Sequence, residues 1–155
     1  MARKTALPLI HLDQMYWKPG WIEPDKAEWI KSLDRLLARP SWIIDGNYNS
    51  TLEQRLEAAD TAILLDLPRG VCLWRVLRRT MLTWGRTRPD MAEDCPERFD
   101  LIFFHYIWTF RQKHLPLTLD RLSHFRGRTI RLRTVPQIEE FLAAVDSMPK
   151  LNAEG

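Results

Sequence analysis

The sequence predicts an α/β protein, with three layers and a mainly parallel sheet between helices. Two observations carry that reading. Short apolar runs alternate with helix-length segments along the 155 residues, and strands buried on both faces of a parallel sheet read as such runs. Three of the runs close on an acid, Asp13, Asp45 and Asp66. Ligands of open α/β sheets gather there, beyond the carboxyl ends of the strands.

The first strand is Leu7 to Leu12, closed by Asp13. A turn-rich loop, Trp17 to Trp21, follows. Asp25 is placed to cap a helix over Lys26 to Ala38, on which Trp29, Leu33, Leu36 and Leu37 share a face. Pro40 stops it. Ser41 to Asp45 is the second strand, ended by Gly46, and a short helix covers Thr51 to Ala58. The third strand is Thr61 to Asp66, closed by Pro68. A strong helix spans Gly70 to Trp84, where Trp74, Leu77 and Met81 fall on one face and are expected in the core. The polar loop Gly85 to Cys95 leads to an aromatic helix over Glu97 to Lys113, whose apolar face, Trp108 included, is expected on the sheet. A shorter helix covers Pro116 to Ser123, Thr129 to Arg133 is the fourth strand, and Pro136 starts a last helix to Val145. The whole is one domain over 1–148 with an arginine-rich loop at about 85–96, which the resemblance given below makes a lid, and 149–155 is expected to fray.

Composition excludes several classes. Hydrophobic residues are 45% and charged residues 28%, which argues against disorder. The longest apolar run without a charge, Leu101 to Phe110, is too short to span a bilayer. Cys72 and Cys95 have no metal-ligand spacing and suggest reduced thiols in the cytoplasm. Net charge is only +3, but it is unevenly spread. Arg69 to Arg88 holds six arginines and no acid, Asp90 to Asp100 five acids and one arginine, and Arg111 to Arg133 seven basic residues against Asp120. Such patches fit a polyanion, either nucleotide phosphates or nucleic acid; a solvated basic face is the plainer alternative.

The arginine segment is the strongest chemical signal. Arg75, Arg78 and Arg79 lie about a helical turn apart, and Arg86 and Arg88 sit in a Gly/Pro loop that no packing demands. Guanidinium forks match phosphate oxygens, and an arginine loop over a strand-end cleft suits phosphoryl transfer. His11, beside Asp13, could serve as a base or a ligand, though a strand-end histidine more often packs; His105 and His114 lack acidic partners in ligand spacing. No Ser-His-Asp or Cys-His arrangement follows from spacing.

Several runs together resemble one family. They are Ile10-His11-Leu12-Asp13, Tyr16 to Trp21, Trp42 to Tyr48, Leu64 to Arg69, and Gly85 to Glu93. The resemblance, from about Leu7 to Val145, is to the adenylate-kinase-like P-loop proteins labelled DNA topology modulation proteins, or FlaR-like AAA family ATPases. It implies a nucleotide-binding fold using ATP and magnesium, with an unassigned phosphate acceptor. On that resemblance, Asp45 holds the magnesium water shell, and Asp13 and Asn47 lie on the acceptor side. Arg75 and Arg79 lead into the lid towards the nucleotide, Arg86 and Arg88 are lid arginines acting on the transferring phosphate, and Arg111 clamps phosphate. Arg133 and Thr134 lie near the adenine.

The chain departs from the family at its start. The six glycines, at 20, 46, 70, 85, 127 and 155, none before a lysine, make no G-x-x-x-x-G-K-[ST] loop. The resemblance places Met1 past that loop and leaves out a central strand between those ending at Asp45 and Asp66. Either Met1 is an internal methionine of a longer protein, the favoured expectation, or the chain is a degenerate copy. Three functions remain open: a kinase-like nucleotide-binding domain inactive as written, a nucleic-acid-binding module, or a self-associating module pairing through an exposed sheet edge.

Overall fold

The computed structural model describes residues 1–147; the expected frayed tail, 149–155, lies outside the described residues. Helices and parallel strands alternate, as an α/β chain requires. The strands form two separate pairs. β1 (Leu9–His11) runs parallel to β2 (Ile43–Asp45), with Ile10 opposite Ile44. β3 (Thr61–Leu65) runs parallel to β4 (Arg128–Leu132), with Ile63 opposite Ile130. Among the described residues no ladder joins β2 to β3, so the single sheet expected is instead two two-stranded sheets.

Eight α-helices accompany the strands among the described residues: α1 (Ala2–Thr5), α2 (Leu12–Tyr16), α3 (Lys26–Leu37), α4 (Leu52–Ala58), α5 (Arg69–Thr83), α6 (Leu101–Lys113), α7 (Leu115–His124) and α8 (Val135–Asp146). Asp25 caps α3 by accepting from the Ala27 and Glu28 amides at 2.8 and 3.2 Å. The face it presents is the expected one: Trp29 and Leu33 are buried with Leu12 and pack against Tyr16, Leu37, Ile44 and Tyr48. Gly46, at φ +147°, lets the chain leave β2 against this cluster, since a Cβ there would meet the Leu12 Cβ at 2.8 Å.

Three expectations fail locally. Asp13 does not end a strand; β1 stops at His11, Leu12 turns into the core, and Asp13 lies in the first turn of α2. The aromatic helix starts at Leu101 because Asp100 caps it, accepting from the Ile102 and Phe103 amides at 2.8 and 3.1 Å, which leaves Glu97 outside. Trp74, Met81 and Trp108 are not core residues: they are 61%, 61% and 53% exposed. α5 and α6 pack on each other, and no described element covers these outer faces.

The lid is seated. Met91, Ala92 and Cys95 are buried against Trp17 and Trp21. The Gly20 amide donates to the Asp94 carbonyl at 3.0 Å, and the Cys95 thiol to the Lys18 carbonyl at 3.4 Å. Gly20 takes φ +80° to make the turn that receives the lid. No helix among the described residues is long and apolar enough to cross a membrane.

Candidate functional site

Two groups of polar side chains stand at strand ends, and α6 reaches both. At the exit of β1 and β2, His11 Nδ1 lies 3.1 Å from Asp45 Oδ2. Asp45 is exposed, and His11 gives it one polar partner. Behind it the Tyr48 hydroxyl donates to Asp13 Oδ1 at 2.6 Å. Asn47 Nδ2 donates to the Tyr106 hydroxyl on α6 at 2.8 Å.

At the exit of β3, Asp66 is buried between two arginines. Arg131 Nε and Nη2 both donate to Oδ2, at 3.1 and 2.6 Å. Arg111, five residues beyond Tyr106 on α6, places Nη2 3.4 Å from Oδ1. The expected phosphate clamp is therefore engaged by a carboxylate. One helix thus ties the residues after β2 to the acid after β3, through Tyr106 and Arg111.

The third group joins the arginine-bearing loop before α6 to α5. Glu97 is buried and takes Arg79 Nη2 at 3.1 Å and Arg88 Nε at 2.9 Å. The Thr80 hydroxyl donates to the same carboxylate at 3.0 Å, and Arg88 Nη1 also meets Asp90 at 3.2 Å. The Arg88 Nε–H is not aimed at Glu97, so that contact is an ion pair without a formed hydrogen bond. Arg79 Nε–H is buried without an acceptor as well. Two of the predicted arginines, Arg79 and Arg88, thus converge on one anion.

The remaining candidates stay apart. Arg75, Arg86 and Arg133 are exposed and make no ion pair among the described residues. Thr134 caps α8, accepting from the Gln137 amide at 3.3 Å, so its hydroxyl has a structural task. Magnesium fits poorly here. Asp45 is an exposed carboxylate partnered by the His11 imidazole, Asp13 is held by Tyr48, and no three metal-ligating side chains cluster among the described residues. Magnesium sites ordinarily add substrate phosphates to one or two carboxylates.

Arg55 was missed. It is buried under the loop after β2, donating to the Gly46 and Tyr48 carbonyls at 3.1 and 2.8 Å. Burial lowers its pKa to about 10. Its signal was its place in Leu52-x-x-Arg55-Leu56-x-x-Ala59, a cation on an apolar helix face.

The phenols titrate high. Burial, then the bond to Asp13, pushes Tyr48 far up. Burial raises Tyr106, and burial with Glu23 raises Tyr16. These are the chain's three tyrosines. A phenol whose folded pKa is raised stabilises the fold below its unfolded pKa near 10, and that stability is lost as pH climbs beyond it. Phenolate absorbance is therefore expected to lag behind pH 10 and to rise together with loss of circular dichroism. A free tyrosine titration in the folded protein would contradict this.

The exposed apolar surface is concentrated on α5 and α6. Trp74 and Leu82 line a shallow hollow with Arg75 and Arg78, Trp84 is exposed, and the Arg69 guanidinium lies 4.7 Å from the centre of the Trp108 ring. No protein-family model matches this chain, and no curated protein or solved structure matches it either.

Proposed function

We propose that the chain is a phosphate-recognising nucleotide-binding domain of the adenylate-kinase-like P-loop type, of the topology-modulation group, with a three-layer fold and without catalytic power in residues 1–155. The observation that carries the reading is the Arg79–Glu97–Arg88 cluster: two guanidinium groups converge on one anion, and each keeps a buried Nε–H with no acceptor. Phosphate oxygens satisfy such donors, often bidentately. Exposed Arg86 and Arg75 stand on the same lid and helix, ready to add charge. Hydrolysis is not expected, because no Gly-rich loop with a lysine is present to cradle the β- and γ-phosphates.

Calorimetric titration tests this. ATP and tripolyphosphate are expected to compete for one site with a Kd of about 1 mM, about −4 kcal/mol, weakening with salt. No phosphate should be released above the blank. Adenosine competing as well as tripolyphosphate, or no saturable binding, would refute phosphate recognition; steady hydrolysis would refute the inactive assignment.

The exposed tryptophans favour a second reading, single-stranded nucleic acid. Bases stack on aromatic rings beside cations; Trp74 and Trp108 are exposed beside arginines, and Trp84 is exposed as well. Oligothymidylate should then quench tryptophan fluorescence with a steep salt dependence. Absence of quenching at low salt ends this reading.

A further inference from the structure

A hollow at the entry of the second sheet takes no part in the groups described above. It is lined by α4, by the end of α7 and by the turn that leads into β4. Ala59 and Gly127, just before β3 and β4, place it at the end of that sheet opposite Asp66. The five residues of β3 put roughly 16 Å of parallel strand between the two ends. The hollow holds 580 Å³, the size of a small-molecule pocket.

Its base is apolar and its rim is charged. Leu56, Ala59 and Phe125 are half-buried, whereas Glu53, Glu57, Asp120 and Arg126 are exposed. Strand pairing fixes the base. The Arg128 amide donates to the Asp60 carbonyl at 2.8 Å, which draws the starts of β3 and β4 together. A Cβ on Gly127 would run into that carbonyl and into the Phe125 ring, so glycine is what lets the ring lie there.

The rim carries both signs of charge, and they are not paired with each other. Glu53 and Glu57 are four residues apart on α4 and share a face. None of Glu53, Glu57, Asp120 and Arg126 forms an ion pair among the described residues. The remaining polar groups are engaged. Arg121 Nη1 donates to the Asn49 carbonyl, and His124 Nδ1 donates to the Asp120 carbonyl at 2.9 Å. Three carboxylates repel a simple anion, and Arg126 repels a simple cation. A molecule with an ammonium and a carboxylate on an apolar body suits both the rim and the base.

We propose that this hollow binds an α-amino acid with an apolar side chain. The ammonium lies among Glu53, Glu57 and Asp120, the carboxylate takes the fork of Arg126, and the side chain rests on Leu56 and Phe125. The site stands apart from phosphate recognition and does not depend on it.

The test is a titration of the whole chain followed by amide chemical shifts, with L-phenylalanine as the probe. Phenylalanine is expected to shift the resonances of Ala59, Phe125 and Gly127 saturably in the millimolar range. Phenethylamine, which lacks the carboxylate, and 3-phenylpropionate, which lacks the ammonium, should each bind roughly tenfold more weakly. Glu57→Gln and Arg126→Gln should each weaken phenylalanine severalfold, and because both side chains are exposed and unpaired the fold should persist, as circular dichroism would check. Tripolyphosphate should not displace the amino acid. Absence of saturable shifts at these amides overturns the proposal. So does the amine or the acid alone binding as tightly as phenylalanine, since the hollow would then select one charge only. Unchanged affinity in both variants, or displacement by tripolyphosphate, overturns it as well.

Discussion

Replacing Glu97 by alanine should lower stability by about 3 kcal/mol, seen as a melting temperature roughly 10 °C lower. Removing one member of a buried ion pair strands the others, and that penalty runs to roughly 3–5 kcal/mol. The lower end applies because Arg88 keeps Asp90 at 3.2 Å and Arg79 is about a third exposed. The cavity and the lost Thr80 bond add to the cost. Glu97→Gln separates structure from function. It keeps the volume and the Thr80 contact but removes the charge that occupies two guanidinium groups. Stability should fall less, while tripolyphosphate affinity should rise about tenfold, a gain of about 1.4 kcal/mol. A Glu97→Gln protein that is less stable and binds no tighter would make the cluster a structural staple of the lid, and the phosphate reading would lose its main support.

The behaviour of Glu97 shows where sequence reasoning runs out. The sequence places it as the first residue of a predicted helix and one of five acids between Asp90 and Asp100. Asp100 is the better cap, so the helix begins later and Glu97 is free to turn inward. Local chemistry made Asp25 and its helix legible, because cap and apolar face lie within one segment. The apolar strands were legible for the same reason, and all four appear close to their expected places. Periodicity predicted a shared face for Trp74 and Met81, but a face says nothing of what covers it, and here no described element does. The division of the sheet is a still longer-range fact. It depends on which edges meet, and no window of residues contains that. Of the site, residue identities were readable and partners were not. Arg111 was expected on a phosphate and rests on Asp66, because nothing near either residue in the sequence announces the other.

That pairing leads to the second large effect. Asp66→Ala should cost about 2–3 kcal/mol by denaturant titration, since a carboxylate 2% exposed is bonded to charged donors. Its two arginines should not share the loss equally. Arg131 brings two donors to Oδ2, the shorter at 2.6 Å, from the paired strand β4, where the backbone already fixes it. A double-mutant cycle between Asp66 and Arg131 should give a coupling of roughly 2 kcal/mol. Arg111 stands at 3.4 Å with 44% of its side chain in solvent, where screening leaves an ion pair below roughly 1 kcal/mol. Arg131 is therefore committed to the fold, whereas Arg111 is held weakly enough to leave Asp66 for a stronger anion. Arg111→Gln should then leave stability nearly unchanged and weaken tripolyphosphate binding severalfold. Equal couplings for both arginines would mean that Arg111 is bound as firmly as Arg131, and it could no longer be counted among the groups awaiting phosphate.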